Sequence, residues 1–403
     1  MRRAPRVLFV THNVPRFDGD AAGSFVLRLA VGLQGQGARV HIIAPGAVGL
    51  PATSTLEGVV VERVRYASDH HMTLAYTGHM AETVRASWSG RVALLQLLLA
   101  TRRAVRDALT SAQRDGDPFD IVHIHWWFPS GLALWKLWRR GDPPQVVTMH
   151  GSDVRLAATA KAAHPVMRAV LSDAAACTAV STWLADTARA IMPGCAITVA
   201  PMPVDDRHFV SNASAAERRG LLFVGRLNVQ KGLADLLAAL ETRALAGTML
   251  HVVGDGPDRL ALEQQAHEGN VGPRVVWHGA LPQHALAPLY AHARAVVMPS
   301  RGEGLGLVAV EAQLCGTPVV AYADAGLLDV VRPEHGGTLV EAGNVEALAT
   351  AIAEVIATDE SVADRGTAGR RYMMARFSPR AVAEQYLGIY DAARDAASTR
   401  ERT

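Results

Sequence analysis

The stretch "APMPVDDRHF", residues 200–209, separates two series of alternating strand-like and helical segments. Before it, helical segments such as 22–35 and 91–112 alternate with β-branched runs, which are "RVLFV" (6–10), "ARVHIIAP" (38–45), "DIVHIHW" (120–126), "QVVTMH" (145–150), "ACTAVS" (176–181) and "AITVAP" (196–201). After it the pattern restarts with "GLLFVGRL" (220–227), "MLHVVGDG" (249–256), "RVVWHGAL" (274–281), "AVVMPS" (295–300), "PVVAY" (318–322) and "GTLVE" (337–341). Buried strands divided by helices indicate βαβ units and parallel sheets. The sequence therefore predicts two doubly wound α/β domains in tandem, with ligands at the carboxyl ends of the strands in a cleft between the domains.

The length of the chain agrees with this division, because 403 residues exceed what one core of typical size holds. We expect an N-terminal domain over residues 1–203 and a C-terminal domain over residues 204–380. The tail "FSPRAVAEQYLGIYDAARDAA" (377–397) is typical of one or two amphipathic helices. We expect its last part, residues 381–403, to pack back on the N-terminal domain as a closing helix.

Composition and apolar patterning exclude several classes of protein. Apolar residues make up 49% of the chain and charged residues 19%, as in a globular protein. The longest apolar run, "VALLQLLLA" (92–100), is shorter than the roughly 20 residues that a membrane span needs, so no transmembrane helix is predicted. The "VLFV" near the N-terminus is too short for the core of a signal peptide. The widely spaced Cys177, Cys195 and Cys315 indicate neither a disulfide framework nor a zinc site, which fits a reducing cytoplasm.

The two halves of the chain differ in charge and in aromatic content. Residues 1–210 carry a net charge of +6 and the remaining residues one of −4. Six of the seven tryptophans lie in the first half, and Trp277 is the exception. No basic stripe with stacking aromatics recurs along a strand face, so nucleic acid is not an expected partner. We expect the two halves to meet different partners.

A glycine-containing loop follows the first predicted strand, in "THNVPRFDGDAAGSFVLRLA" (11–30). Gly19 and Gly23 would let the backbone approach a phosphate or a sugar, and the following helix N-terminus favours an anion. The loop is not G-x-G-x-x-G, and no acidic residue ends the second strand, so a dinucleotide would lack its ribose partner. A tight turn with Asp18 or Asp20 as a helix cap is an equally good interpretation, and a metal site here is not expected.

Two cations stand five residues apart after a strand of the second half, in "VGRLNVQKG" (224–232). The planar guanidinium of Arg226 can donate two parallel hydrogen bonds and the ammonium of Lys231 is a compact charge, so the two side chains would suit a diphosphate. A pair of solvated basic residues on a loop is the alternative.

Glycines end two further strands of the second half. Gly254 and Gly256 lie in "VVGDGPDR" (252–259), and His278 precedes a glycine in "WHGAL" (277–281). A backbone that passes close to a flat ligand needs such glycines, although ordinary turn chemistry needs them equally.

Histidines follow or lie in strands of the first half. In "TMHGSD" (148–153), His150 and Asp153 surround a glycine at a carboxyl end, where an imidazole can face the cleft or fill a structural place. In "HIHWW" (123–127), His123 and His125 share one face of a strand. Two histidines without a nearby carboxylate or thiolate are weak evidence for zinc, so packing is the favoured interpretation.

Two carboxylates lie eight positions apart in "SRGEGLGLVAVEAQLCGTPVV" (300–320). The pattern predicts a helix from about Leu305 to Leu314, with Glu303 before it and Glu311 two turns inside, on the order of 10 Å apart. This separation is too great for sharing a proton or one metal ion. It suits the two ends of a nucleotide-sized ligand whose phosphates meet the N–H groups of Gly304, Leu305, Gly306 and Leu307.

Together these motifs resemble the retaining nucleotide-sugar glycosyltransferases of family 4. The resemblance rests on the E-x7-E of Glu303 and Glu311, on Arg226 with Lys231, and on "GDGP", "TMHGSD" and the first glycine loop. It covers essentially the whole chain. It implies the GT-B fold, with two Rossmann-like domains facing across a cleft, the acceptor on the N-terminal side and the donor on the C-terminal side.

The resemblance also implies a role for each site residue. Arg226 and Lys231 would hold the donor diphosphate, Glu311 the ribose hydroxyls and Glu303 hydroxyls of the donor sugar. His150 would lie against the transferred sugar, partly through its backbone carbonyl, and would act in catalysis with Glu303, Arg226 and Lys231. The donor-binding positions expected on this basis are Gly23, Arg226, Lys231, Gly254, Gly256, His278, Gly304, Leu305, Gly306, Leu307 and Glu311.

The chemistry implied by the resemblance needs no metal and no cofactor beyond a UDP- or GDP-linked sugar. A phosphate oxygen of the donor would take the proton of the acceptor during same-face transfer. Cations and a helix dipole on the departing diphosphate then matter more than a nucleophile, because the transition state is an oxocarbenium-like sugar. The chain departs from the family at Gly19-Asp20, where many members have two glycines, and at Met202-Pro203, where Asn-Gly is usual.

The hydroxyl acceptor, a small molecule, a glycan or a lipid-linked sugar, is expected to bind the basic, tryptophan-rich first domain. In "HWWFPSGLALWKLWRRGDPP" (125–144), Trp135 and Trp138 would lie three apart on a short helix with Lys136, Arg139 and Arg140. Such a surface could contact the inner face of a membrane or stack on the acceptor. Tryptophans packed in the domain core, with the basic residues in water, are the favoured alternative.

Two other enzyme classes remain open at this stage. A NAD-dependent dehydrogenase also pairs α/β domains, but its fingerprint is absent here and Arg226 and Lys231 would be idle. A nucleotide-sugar epimerase or a sugar phosphorylase shares the GT-B fold and would turn over the nucleotide sugar or a sugar phosphate without an acceptor.

Overall fold

The computed structural model describes residues 3–20, 22–72, 74–76, 80–139 and 141–402. The chain forms two compact units. The first unit consists of Met1–Pro203 with Val382–Thr403, and the second of Val204–Ala381.

The described part of the first unit alternates strands with helices. Its strands are β1 Arg6–Val10, β2 Arg39–Pro45, β3 Thr53–Leu56, β4 Val59–Val64, β5 Ile121–His125, β6 Gln145–Met149, β7 Ala176–Ala179 and β8 Ile197–Val199. Its helices before the second unit are α1 Ser24–Gly35, α2 Met80–Ala86, α3 Trp88–Arg114, α4 Leu132–Leu134, α5 Ser152–Thr159, α6 His164–Ser172 and α7 Thr182–Ile191. Side-chain caps fix two helix starts, since Ser87 accepts from the Gly90 N–H and Ser181 from the Leu184 N–H.

These strands form one sheet in the order β3-β4-β2-β1-β5-β6-β7-β8. All neighbours are parallel except β3, which runs antiparallel to β4. Val7, Leu8, Phe9 and Val10 of β1 are fully buried, as expected of a central parallel strand covered on both faces. The strand order reverses between β1 and β5, and the loops after these two strands therefore meet at one edge of the sheet.

The hairpin of β3 and β4 was not predicted from the sequence. Its strands are short and half polar, and a two-residue turn, Glu57-Gly58, joins them. Both turn residues have positive φ, 47° and 82°, which matches the twist of a tight hairpin. The hairpin extends the sheet beyond β2 and is parallel to β2 through β4.

The second unit repeats the doubly wound pattern. Its strands are β9 Leu221–Val224, β10 Leu250–Val253, β11 Val275–Gly279, β12 Ala295–Met298, β13 Val319–Tyr322 and β14 Thr338–Val340. Its helices are α8 Leu233–Glu241, α9 Arg259–Glu268, α10 Leu286–His292, α11 Leu307–Leu314, α12 Leu327–Val330, α13 Val345–Val355 and α14 Asp359–Phe377; α15 Pro379–Arg402 then enters the first unit. The sheet order is β11-β10-β9-β12-β13-β14, all parallel, so the order reverses between β9 and β12.

Helix α15 packs on the sheet of the first unit through two fully buried tyrosines, Tyr386 and Tyr390. The Nδ1 of His123 lies 2.7 Å from the hydroxyl of Tyr390, and its Nε2 lies 2.6 Å from Oγ1 of Thr148. Burial lowers the pKa of His123 well below its usual value, so the imidazole is neutral. Both ring nitrogens are engaged, and His123 therefore has a packing role.

The predicted short helix carrying Trp135 and Trp138 is wrong. Helix α4 ends at Leu134, and Trp135 has φ −54° and ψ 130°, outside the helical region. Arg102 of α3 donates to the carbonyl oxygens of Trp135 and Lys136, at 2.7 and 3.1 Å, so an external guanidinium satisfies them instead of a helix. The half-buried Trp138 donates its indole N–H to the carbonyl oxygen of Pro143. Arg140 lies outside the described residues.

None of the helices in the described ranges is both long enough and apolar enough to cross a membrane.

Candidate functional site

The loops after β9 and β12 meet at the strand-order reversal of the second unit. The Arg301 N–H donates to the carbonyl oxygen of Gln230 at 2.8 Å, and the Gln230 side chain donates to the carbonyl oxygen of Gly302 at 3.2 Å. Open parallel sheets bind ligands at such reversals, outside the carboxyl ends of the strands. The fold therefore places both loops where a ligand of this unit is expected.

Lys231 and Glu303, 72 positions apart in the chain, form an ion pair where these loops meet. The Lys231 Nζ lies 2.5 Å from Oε1 of Glu303, and the Glu303 residue is only 9% exposed. Asn228 fixes the short turn before Lys231, because its side chain accepts from the Lys231 N–H at 3.2 Å. The ammonium compensates a carboxylate that would otherwise be buried without a partner. Both residues are site candidates predicted from the sequence, but their pairing was not predicted.

Arg226 lies on the same loop as Lys231, and its side chain is exposed. Its position after β9 is fixed by the backbone, since the Gly225 N–H donates to Val253 and the Leu227 N–H to Asp255. These backbone hydrogen bonds hold the loop that carries Arg226 at the carboxyl end of β9.

The glycines after β10 allow two loops of this unit to touch. A Cβ at Gly254, where φ is 136°, would lie 1.8 Å from the carbonyl oxygen of Gly225. A Cβ at Gly256 would lie 2.2 Å from the carbonyl oxygen of Leu227. Contact between backbones already requires both glycines, so their presence is not by itself a sign of a ligand.

Helix α11 begins beside Glu303, at Leu307, after Gly306 in a left-handed conformation with φ 91°. The helix starts two positions later than predicted because Gly306 serves as its N-cap. Within the described ranges, the N–H groups of Gly304, Leu305, Gly306 and Leu307 find no acceptor. Unsatisfied N–H groups at a helix N-terminus attract an anion such as a phosphate.

Glu311 is buried in the middle of α11 and is 6% exposed. Its Oε2 accepts from the hydroxyl of Tyr290 at 2.7 Å, and its Oε1 from the side chain of Gln283 at 3.2 Å. Burial raises the pKa of Glu311 to about 7, although both hydrogen bonds oppose the shift. Each carboxylate oxygen can accept a second hydrogen bond, so the side chain can still bind ligand hydroxyls.

His278 pairs with a histidine of the neighbouring strand. Its Nε2 lies 3.0 Å from Nδ1 of His251, and the two rings stack with centroids 5.2 Å apart. The ring is half-buried and engaged within the sheet.

His150 lies in the first unit, beside the loop after β5. Its Nε2 is 3.1 Å from Nδ1 of His125, and its ring centroid is 4.1 Å from that of Trp126. Burial lowers the pKa of His150 well below its usual value, and that of His125 to about 3, so both rings are neutral. A neutral His150 is held in one orientation between its two neighbours.

Gly23, the last residue of the first glycine loop, is required by a contact within the chain. A Cβ there would lie 2.5 Å from the carbonyl oxygen of Asn13, and its φ of 65° is also left-handed. The loop after β1 is thereby pressed against the start of α1.

A cavity of about 520 Å³, which was not predicted from the sequence, lies at the strand-order reversal of the first unit. Tyr76, Trp126 and Phe128 line it together with residues that follow β1 and β6. Trp126 has φ 67°, a conformation that bulky residues rarely adopt. No sequence pattern indicated Tyr76, because a residue in an irregular segment reaches this edge only through tertiary packing.

Among the described residues, no group of three or more histidine, cysteine, aspartate or glutamate side chains could hold a metal ion. The second unit instead contains the ammonium group of Lys231, the carboxylates of Glu303 and Glu311, and the N-terminus of helix α11. Two doubly wound units with parallel sheets are the architecture of the GT-B fold.

Comparison with known families identifies the class further. The family described as "Glycosyltransferase Family 4" matches residues 22–208, and "Glycosyl transferases group 1" matches residues 204–372. The chain belongs to this glycosyltransferase family and is a glycosyltransferase.

Relatives and solved structures agree over nearly the whole chain. The "D-inositol 3-phosphate glycosyltransferase" of Xylanimonas cellulosilytica is 31% identical, across 96% of this chain and 97% of its own. The "2-deoxystreptamine glucosyltransferase" of Streptomyces kanamyceticus is 30% identical, across 91% of this chain and 97% of its own. The fold is similar to that of a sucrose-phosphate synthase from Thermosynechococcus elongatus, with a TM-score of 0.77 at 24% identity, covering 97% of this chain and all of the other. These findings do not favour a dehydrogenase, an epimerase or a phosphorylase.

Proposed function

We propose that this enzyme transfers a sugar from a UDP- or GDP-linked donor to a hydroxyl acceptor with retention of configuration and without a metal ion. The observation that carries the proposal is the Lys231–Glu303 pair beside the open N-terminus of α11. A cation, helix N–H groups and a carboxylate lie together at the strand-order reversal, as a sugar diphosphate requires.

The residues of the second unit would divide the donor between them. Lys231 and Arg226 would bind the diphosphate with the N–H groups from Gly304 to Leu307. Glu303 would accept hydrogen bonds from the donor sugar, and Glu311 from the ribose. Gly254, Gly256 and His278 would border the nucleotide.

In the first unit, His150 would lie against the transferred sugar and offer its backbone carbonyl oxygen. The carbonyl suits this task, because its lone pairs stabilise positive charge that develops on the sugar. Gly23 would keep the loop after β1 close to the reacting groups.

The proposed reaction proceeds on one face of the sugar. The bond between the anomeric carbon and the diphosphate breaks first. Lys231 and the N–H groups of α11 stabilise the negative charge that develops on the leaving oxygen. A phosphate oxygen of the donor then takes the proton of the acceptor hydroxyl. Fixed donors aimed at developing charge can supply a large part of the rate enhancement. The new bond then forms on the face that the diphosphate left, which retains the configuration.

The nucleotide is identified by thermal unfolding with UDP, GDP and ADP, and then with their sugars. One diphosphate at about 100 times its Kd should stabilise the protein by about 2.7 kcal/mol, which raises the melting temperature by several degrees. The corresponding nucleotide sugar should then support transfer. Absence of a shift with every nucleotide would contradict the proposed function.

We also propose a place for peripheral contact with an anionic membrane, on α3 rather than near Trp135. Trp88, Val92, Leu95 and Leu99 form an exposed stripe at helical spacing, with Trp88 76% exposed and both leucines 57%. Arg91 and Arg103 are exposed on the same helix, and Arg103 pairs with Asp107 at 3.8 Å. An apolar stripe with arginines beside it suits anionic lipid.

Sedimentation with anionic vesicles at low salt tests this surface. Leu99→Glu should lower the bound fraction at least about tenfold, because burial of one leucine contributes roughly 1.5–3 kcal/mol. Leu260→Glu is the matched control, since Leu260 is 80% exposed on α9 of the second unit. No sedimentation of the unaltered protein, or an equal loss in both variants, would remove the membrane contact.

A further inference from the structure

The cavity of the first unit lies where its strand order reverses, the place at which a doubly wound sheet binds a ligand. Its volume of about 520 Å³ can hold one or two sugar-sized rings. His12 and Asn13 line it from the loop after β1, Trp126 and Phe128 from the loop after β5, and Ser152 from the start of α5. The residues of the donor site in the second unit are separate from this lining.

Aromatic and apolar side chains supply most of the described lining. Tyr76, Trp126 and Phe128 are joined by Leu74, Met80 and Leu156. Flat aromatic faces pack against the C–H faces of sugar and cyclitol rings, whose hydroxyls point outward. The Trp126 ring packs against those of His12 and His150, with centroids 4.3 and 4.1 Å away, although its positive φ is strained.

The described lining carries no lysine or arginine. Its histidine, His12, does not act as a cation, because burial lowers its pKa to about 4. Two arginines lie behind the wall but are engaged. Arg63 donates to the Tyr76 hydroxyl at 3.2 Å and to the Pro15 carbonyl oxygen at 2.7 Å, and Arg16 pairs with Asp20.

The N-terminus of α5 is not open to an anion either. Asp153, a lining residue that is 2% exposed, accepts through Oδ1 from the N–H groups of His150, Gly151 and Val154. Its Oδ2 accepts from the Trp127 N–H at 3.2 Å. The carboxylate thus occupies the site where a phosphate would bind, and the four amide N–H groups occupy the lone pairs with which it could accept from an ammonium group.

Two polar atoms of the lining residues have no hydrogen-bond partner in the described structure, Nδ1 of His12 and Oδ1 of Asn13. Both are buried, and buried polar atoms are normally satisfied. A neutral imidazole nitrogen and an amide oxygen are suitable partners for hydroxyl groups.

We propose that this cavity binds the acceptor as an uncharged polyhydroxylated ring, a sugar or a cyclitol, and discriminates against acceptors that carry a phosphate or an amine on that ring. The proposal rests on the proposed function and specifies its acceptor. A phosphate bound in this cavity would lose its hydrating water without gaining a cation, and this cost is the reason for the discrimination.

The first test compares acceptors with the full-length enzyme and its nucleotide sugar. Product formation is measured with myo-inositol, methyl glucoside and maltotriose, and with myo-inositol monophosphate and 2-deoxystreptamine as charged probes. At least one neutral ring should be glycosylated about tenfold faster or more than both charged probes, because desolvation of a charge without a partner is costly. Preference for a charged probe would overturn the inference, as would donor hydrolysis without transfer to any neutral ring. Absence of both donor binding and donor hydrolysis would instead show that the proposed function is wrong.

The second test introduces a cation into the wall. Leu156→Arg should raise the rate with myo-inositol monophosphate, relative to that with the best neutral ring, by about tenfold, because a guanidinium pairs with phosphate. Leu156→Gln is the matched control, and its ratio of the two rates should stay within about twofold of the ratio in the unaltered enzyme. An unchanged ratio in folded Leu156→Arg would contradict the placement of the ring.

A third variant covers the case in which Leu156→Arg does not fold. Phe128→Ala removes the half-buried phenyl ring of Phe128 from the cavity lining and should raise the KM for the neutral acceptor about tenfold. The nucleotide Kd is measured beside it as a check that the second unit is intact. An unchanged acceptor KM would contradict the inference.

Discussion

Replacing Lys231 with alanine should lower the rate of sugar transfer by about 100-fold or more, because the departing diphosphate loses a fixed cation. The structure adds a second consequence, since Glu303 would be left buried without the ammonium that now lies 2.5 Å away. Some loss of stability is therefore expected with the loss of rate. The turnover at saturating donor and the melting temperature are measured on the same preparation.

A double variant separates these two effects. Lys231→Ala with Glu303→Gln removes the orphaned charge, so stability should recover while transfer stays low. Arg301→Ala is a control on the neighbouring loop, where Arg301 pairs with Asp235 and is partly exposed, and its effect on transfer should be small. Near-normal turnover of folded Lys231→Ala, or recovery of turnover in the double variant, would contradict the role of Lys231.

Glu311→Ala should weaken binding of the bare nucleoside diphosphate by roughly 10- to 100-fold, the loss of charge-assisted hydrogen bonds to ribose. Glu303→Ala should lower transfer by about 100-fold and leave nucleotide affinity unchanged or higher. A higher nucleotide affinity is expected because removal of the Glu303 carboxylate releases Lys231 from its ion pair. Calorimetric nucleotide Kd values and transfer rates for both variants check the assignment.

Glu311→Gln serves as the matched control for folding, since its amide oxygen can still accept from the Tyr290 hydroxyl. The raised pKa of Glu311, about 7, gives an independent check of its role. Ribose hydroxyls donate to the ionised form, so nucleotide affinity should rise about tenfold from pH 6 to pH 8, as the ionised fraction grows. This rise should be absent in Glu311→Gln. Equal losses of nucleotide affinity in Glu303→Ala and Glu311→Ala would contradict the division of roles.

Much of the fold was predictable because it depends on local pattern. Each predicted strand run in both halves coincides with a strand of the structure, from β1 to β14 apart from the hairpin. The hairpin β3–β4 escaped because its strands are short and half polar, and the supposed helix at Trp135 failed because Arg102, 33 positions away, binds its carbonyl groups. Local sequence does not encode such distant partners.

For the site, sequence spacing was sufficient to select Glu303 and Glu311 and to argue against their sharing a proton. It was insufficient to show that Lys231 neutralises Glu303 or that Tyr290 and Gln283 hold Glu311. It was also insufficient to show that contacts with the protein's own backbone already require the glycines at 254 and 256.

The sequence by itself thus determined the two doubly wound domains and the family and selected the candidate donor-site residues, because strand periodicity and motif spacing are local properties. Only the tertiary structure decided the ion pair, the raised pKa of Glu311 and the aromatic cavity beside Trp126, whose described lining has no lysine or arginine. These depend on which side chains converge at the strand-order reversals and on how far burial removes them from water. Convergence and desolvation arise when distant segments pack, and no single segment of the chain carries them.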